Sequence, residues 1–143
     1  MSNNLKKQAQ VLCALNSVPL DRIRLMKTLF LFWFRSGKPE EGPFIFKPYL
    51  YGPCSFELYE SLEYMSKNHL IVEPLSTRST SLYITEKGKI EFNKSQELKD
   101  AEKDALSRIA IWCSEQNFTS LLRSVYEEAP EFASKSIVRE KVL

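Results

Sequence analysis

Apolar residues recur at helical spacing along most of the chain, interrupted by two short β-prone runs. Leu58, Leu62 and Met65 fall at i, i+4 and i+7, which predicts one helix with a buried stripe and Tyr59 beside it. Ser55 stands where an N-cap is expected, and Glu57 lies in the first turn, where the helix dipole favours an anion. Asn68 and His69 end this helix, and Leu70-Ile71-Val72 reads as a strand. Ahead of it, Pro53 restricts Gly52 to extended or positive-φ geometry, so the chain turns there. Leu82-Tyr-Ile84 is a second strand across a polar loop, giving a β-hairpin. A helix followed directly by a strand pair is the second half of a winged helix-turn-helix.

The first half is visible too. Ala9, Leu12, Cys13 and Leu15 give a loose apolar face to a helix over about Asn4 to Asn16. Asp21 is a good N-cap for a second helix to about Ser36, whose latter half, Leu29-Phe-Leu-Phe-Trp-Phe34, is apolar on every side and predicts a central buried element. Gly37 to Pro43 is turn-rich, and Phe44 to Leu50 is aromatic and extended in character. Thr85 caps a further helix, expected to continue through the charged stretch Lys94 to Asp104. Leu106, Ile109 and Cys113 mark an amphipathic helix ending near Glu115. Thr119 is the expected cap of a last one, with Leu122, Val125 and Tyr126 inward and Pro130 closing it. Residues 131–143 alternate charged and apolar residues, as a short docking segment does. The expected architecture is mainly α with a small β-hairpin: a winged helix-turn-helix over residues 1–95 and a C-terminal helical extension and tail over 96–143.

Composition narrows the function. The 143 residues hold 20 Lys and Arg against 18 Asp and Glu, unlike a strongly basic nucleic-acid coat. The imbalance is local: residues 1–40 carry a net +5, residues 41–100 a net −2 and residues 101–143 a net −1. Three scattered cysteines suit reduced thiols in a cytoplasm better than a disulfide framework. The start lacks the apolar core of a targeting segment, and the six-residue run Leu29–Phe34 falls short of the roughly 20 residues that span a bilayer.

Candidate chemistry is sparse. One histidine and no paired cysteines give no metal-ligand spacing, and no cofactor motif is present. Cys54 lies near a helix N-terminus, which favours a thiolate, but His69, its one conceivable base, is at the far end of that helix, ~22 Å away at 1.5 Å per residue. Cys54 therefore reads as a small apolar filler. Glu57, Glu60 and Glu63 give the second helix of the motif a net charge of −2 with Lys67, which opposes a polyanion.

Four segments in this order carry a resemblance. Leu25-Met-Lys-Thr-Leu-Phe-Leu31, Tyr51-Gly-Pro-Cys-Ser-Phe-Glu-Leu-Tyr59, Leu70-Ile71 and Tyr83-Ile-Thr-Glu-Lys-Gly88 resemble the Panacea-type (SocA-like) antitoxin domains and related small bacterial winged-helix proteins, over about residues 20–95. The Tyr-Gly-Pro-x-Ser corner is its most specific part. The resemblance implies a cytoplasmic bacterial or phage protein without a catalytic site, which binds and regulates a toxin or effector. Tyr49, Tyr51, Glu57, Glu60 and Tyr64 are the expected protein-binding surface, with Phe44 and Phe46 as flanking aromatics. The alternative is a DNA-binding transcriptional regulator using Arg22, Arg24, Lys27, Arg78 and Lys87, with a homodimer doubling a modest basic patch.

Overall fold

The computed structural model describes residues 2–75 and 80–142. It is mainly helical, with seven α-helices and two small antiparallel strand pairs among the described residues. In order they are α1 (Ser2–Ser17), α2 (Arg22–Arg35), β1 (Lys47–Tyr49), β2 (Gly52–Cys54), α3 (Phe56–Lys67), β3 (Ile71–Val72), β4 (Tyr83–Ile84), α4 (Glu86–Lys94), α5 (Asp100–Glu115), α6 (Phe118–Glu128), a 3₁₀ turn (Pro130–Ala133) and α7 (Arg139–Val142).

The centre is α2. Eight consecutive residues, Leu25 to Phe32, are buried, so the all-round burial begins earlier than the expected Leu29–Phe34, and Trp33 and Phe34 are only partly buried. It starts at Asp21, whose carboxylate accepts the backbone N–H of Arg24 at 2.7 Å. Helix α5 lies along both α1 and α2, so one continuous core joins the first 95 residues to the C-terminal helices. Phe30 is fully buried amid Phe46 at 5.5 Å, Phe34 at 5.4 Å and Phe132 at 4.8 Å, an aromatic cluster that ties the tail to the central helix. Removing such a ring would cost about 3–5 kcal/mol.

Strands β3 and β4 pair as Ile71 with Ile84 and Val72 with Tyr83. Leu20, between α1 and α2, adds a β-bridge to Leu82 and accepts its N–H at 2.7 Å. Thr85 caps α4 by accepting the N–H of Gly88 at 3.0 Å. A Cβ on Gly88 would lie 2.2 Å from the Leu70 carbonyl oxygen, so only glycine lets α4 approach the strand this closely.

Several expectations are corrected. β1 and β2 form a hairpin of their own, where an extended arm and a corner were expected. Its strands pair Pro48 opposite Pro53, and proline argues against a strand in the sequence. The helix after Thr85 stops at Lys94 instead of running through the charged stretch. Ser95 Oγ accepts the Glu97 N–H, Leu98 is buried, and α5 starts afresh with Glu102 accepting the Lys99 N–H at 2.9 Å. Asn117, two residues before the expected Thr119, caps α6 through its accepted bond from Ser120. Phe44 and Phe46 are core residues, not surface ones. Much of the tail packs on the body: Phe132, Ala133 and Val142 are buried, and the Ile137 N–H donates to Leu50 at the hairpin turn while its side chain stays exposed.

Candidate functional site

The β1–β2 hairpin and α3 together present the most distinctive surface of the chain. Its foundation is Gly52, at φ +90° in the corner. A Cβ there would sit 2.7 Å from Tyr126 Cε1, so the hairpin lies flat on α6 only because the residue is glycine. Pro53 and Cys54 come next, and α3 begins.

Ser55 occupies the N-cap position, but its side chain caps nothing. Its hydroxyl oxygen is enclosed without a hydrogen-bond partner, and its backbone N–H donates to Met26 Sδ at 3.3 Å. The expected capping bond is thus replaced by burial against α2.

Leu58, Leu62 and Met65 are buried as the spacing predicts, which divides the rest of α3 between three directions. Glu57 and Tyr64 face α1. Glu57 pairs with Lys7 at 3.1 Å, and with Glu60, Ser61, Tyr64 and Leu5 it lines a groove of about 420 Å³. Phe56 and Glu63 face outward, with Glu60 at the rim of the groove. Tyr59 faces the Leu20–Leu82 side, where the Arg22 guanidinium stands 6.0 Å over its ring.

An exposed aromatic run crosses this surface. Tyr49 of β1 meets Phe56 edge-on at 5.1 Å, and Phe56 lies 6.4 Å from Tyr59. Phe56 is 59% exposed and Tyr64 54%, with Tyr49, Tyr59 and Ile45 also open to solvent. Of the five residues expected to bind protein, Glu57, Glu60 and Tyr64 share the α1–α3 groove. Tyr49 meets Glu57 across a second groove, beside Phe56 and Cys54. Tyr51 stands apart at the hairpin turn, edge-on to Phe118 at 6.0 Å. Phe56 and Tyr59 were missed as surface residues. The angle each makes with the Leu58–Leu62–Met65 stripe was the available signal, since successive residues turn by about 100°.

Among the described residues, the cations expected to meet DNA are engaged within the chain. Arg22 forms a two-bond pair with Glu73, at 2.9 and 2.8 Å, which lowers the Glu73 pKa and raises that of Arg22. Arg24 pairs with Asp21 and donates to the Gln116 carbonyl at 2.8 Å. Lys27 contradicts its expected place on a basic edge: it is 3% exposed, and its ammonium donates to the Pro53 carbonyl at 3.0 Å. Burial pushes its pKa down to about 8. Lys87 is at the surface and donates to the Asn68 carbonyl at 3.0 Å. Arg78 lies outside the described residues.

Comparison of the chain with protein-family models, curated proteins and solved structures finds no match. The site therefore rests on its own geometry.

Cys54 is half-buried, and burial raises its thiol pKa despite the nearby Lys27 charge, which acts in the opposite direction. That is the reverse of what an attacking thiolate needs. His69 ends α3 at φ 61°, a left-handed position just beyond the helix C-cap. Among the described residues, no three His, Cys, Asp or Glu side chains gather as a metal site would require, and no helix is long and apolar enough to cross a membrane.

Proposed function

We propose that this chain is a non-enzymatic binding module on a winged-helix scaffold, antitoxin-like in that it binds and regulates a protein partner such as a toxin or effector. Support for the scaffold comes from the order of its parts. The isolated Leu20–Leu82 bridge lies between α1 and α2, where a winged helix has its first strand, and the β3–β4 pair follows α3, where it has its wing. The β1–β2 hairpin is then an insertion between the second and third helices of the motif.

The observation that carries the protein-binding reading is the exposed run Tyr49–Phe56–Tyr59 beside Glu60 and Glu63, on the helix that a DNA-binding winged helix would lay in the major groove. Aromatic residues are enriched at protein interfaces, whereas acidic ones there repel phosphate. The three free thiols suit a reducing compartment such as a cytoplasm.

The test is affinity capture from the native host with the tagged wild-type chain and with a Phe56→Ser/Glu60→Lys/Glu63→Lys variant. These side chains are exposed, so the variant should keep the wild-type melting profile. A protein retained by the wild type and lost by the variant supports the reading. Identical retention by both places the interface elsewhere.

A further inference from the structure

A cleft of about 440 Å³ lies on the other side of α1, between the start of α1, the end of α2, the 39–46 segment and the 96–102 segment. None of its lining residues belongs to α3. Its volume is that of a small-molecule site, which runs from about 300 to 1,000 Å³. Aromatic side chains form the inner wall: Trp33 lies 5.4 Å from Phe46, and Phe44 lies 6.5 Å from Phe46. The Trp33 ring is held by its Nε1–H, which donates to the Pro39 carbonyl at 3.0 Å.

The decisive residue is Gln10. It is 8% exposed and lines this cleft. Its side-chain amide makes no hydrogen bond to any described residue, and it is not among the atoms sealed from solvent, so its donor and acceptor face the open volume. With no partner among the described residues, the amide is left to water in the open cleft, and its donor and acceptor are free to pair with a ligand that displaces that water. Gln presents an N–H donor and a C=O acceptor side by side, an arrangement that matches an adjacent acceptor and donor on a purine edge. Aromatic side chains are the usual neighbours of such a ring.

Charge refines the ligand. Lys6, one turn before Gln10 on the same face of α1, and Lys99 line the cleft against Glu41, Glu97 and Glu102. The carboxylates offset the two cations, so the site does not select a phosphate.

We propose that this cleft binds a neutral planar heteroaromatic ligand of the purine-nucleoside class, with the Gln10 amide pairing with the edge of the base and the Trp33–Phe46 wall against its ring. Such a ligand would bind independently of a protein on α3.

The test uses Trp33 as its own reporter, in a Trp112→Phe background that leaves one tryptophan. Adenosine, inosine, adenosine monophosphate and toluene are the probes. At least one of the two nucleosides should change Trp33 emission saturably. Gln10→Leu and Gln10→Glu, both of which remove the amide donor, should weaken that binding about tenfold or more. The monophosphate should bind no more tightly than adenosine. Thermal melts confirm that both variants are folded; a variant that is not is replaced by Gln10→Met. No saturable change with either nucleoside, unaltered binding in the folded variants, or toluene binding as well as the nucleosides would each overturn the proposal. Tighter binding of the monophosphate would overturn the neutral-ligand assignment.

Discussion

The Lys27 ammonium donates to the Pro53 carbonyl oxygen at 3.0 Å, reaching from the middle of α2 to the corner that launches α3. A charged group is thereby placed beneath the candidate surface against a neutral acceptor. Its pKa falls from 10.5 to about 8 because burial penalises the charged form.

This arrangement has a signed pH dependence. Between pH about 8 and about 10.5 the unfolded chain holds the Lys27 proton and the folded chain sheds it, so this contribution to stability rises with pH through that window. Below pH 8 the cost is fully present, at about 3 kcal/mol from the size of the shift. Cys54 is the ionisable neighbour whose charge acts on Lys27, so the comparison belongs in a Cys54→Ala background. Urea melts of that background with and without Lys27→Met should show the lysine form gaining about 2–3 kcal/mol relative to the methionine form between pH 7 and pH 10.5. A pH-independent difference would contradict the buried ammonium.

The corner itself is a second test. Gly52→Ala combines a left-handed backbone with a Cβ 2.7 Å from Tyr126 Cε1. The two penalties together amount to about 3 kcal/mol, or a melting temperature lower by about 10 °C. A melting temperature within a degree or two of the wild type would show that the hairpin does not need to lie against Tyr126.

The helix caps separate position from chemistry. Thr85→Ala and Asn117→Ala each remove an accepted backbone bond and should cost about 1 kcal/mol. Ser55→Ala removes an enclosed hydroxyl without a partner and should be neutral or stabilising. Denaturant melts of the three variants check this directly; a loss at Ser55 as large as at Thr85 would mean that its hydroxyl is engaged after all.

These caps also show what the sequence makes legible. Asp21 and Thr85 act locally, on an N–H three residues ahead, so spacing alone finds them. The stripe of α3 and the all-round burial of α2 are set by periodicity for the same reason. Ser55 occupies an equally favourable position, but its hydroxyl is decided by α2, which packs across it from 29 residues earlier in the chain. Lys27 belongs to the same class: a lysine in the first half of a helix reads as surface until the Pro53 carbonyl is known to lie above it. The β1–β2 hairpin is hidden by its two prolines, which break the pattern that strands normally show. On the candidate surface, the acidic residues and Tyr64 were legible; Tyr59, beside the apolar stripe, reads as core, and Phe56 acquires its role only from Tyr49, which the β1–β2 hairpin brings against it.

The central claim is that α3 serves a protein rather than a nucleic acid. Fluorescence anisotropy with a labelled random-sequence duplex, at low and at moderate salt, tests it most directly. Arg22 and Arg24 are held by Glu73 and Asp21, Lys27 is buried, and α3 carries Glu57, Glu60 and Glu63, so no binding is expected even at low salt. Micromolar binding that collapses as salt rises, and that is lost on neutralising Arg22 and Arg24, would contradict the claim and make the chain a DNA-binding regulator.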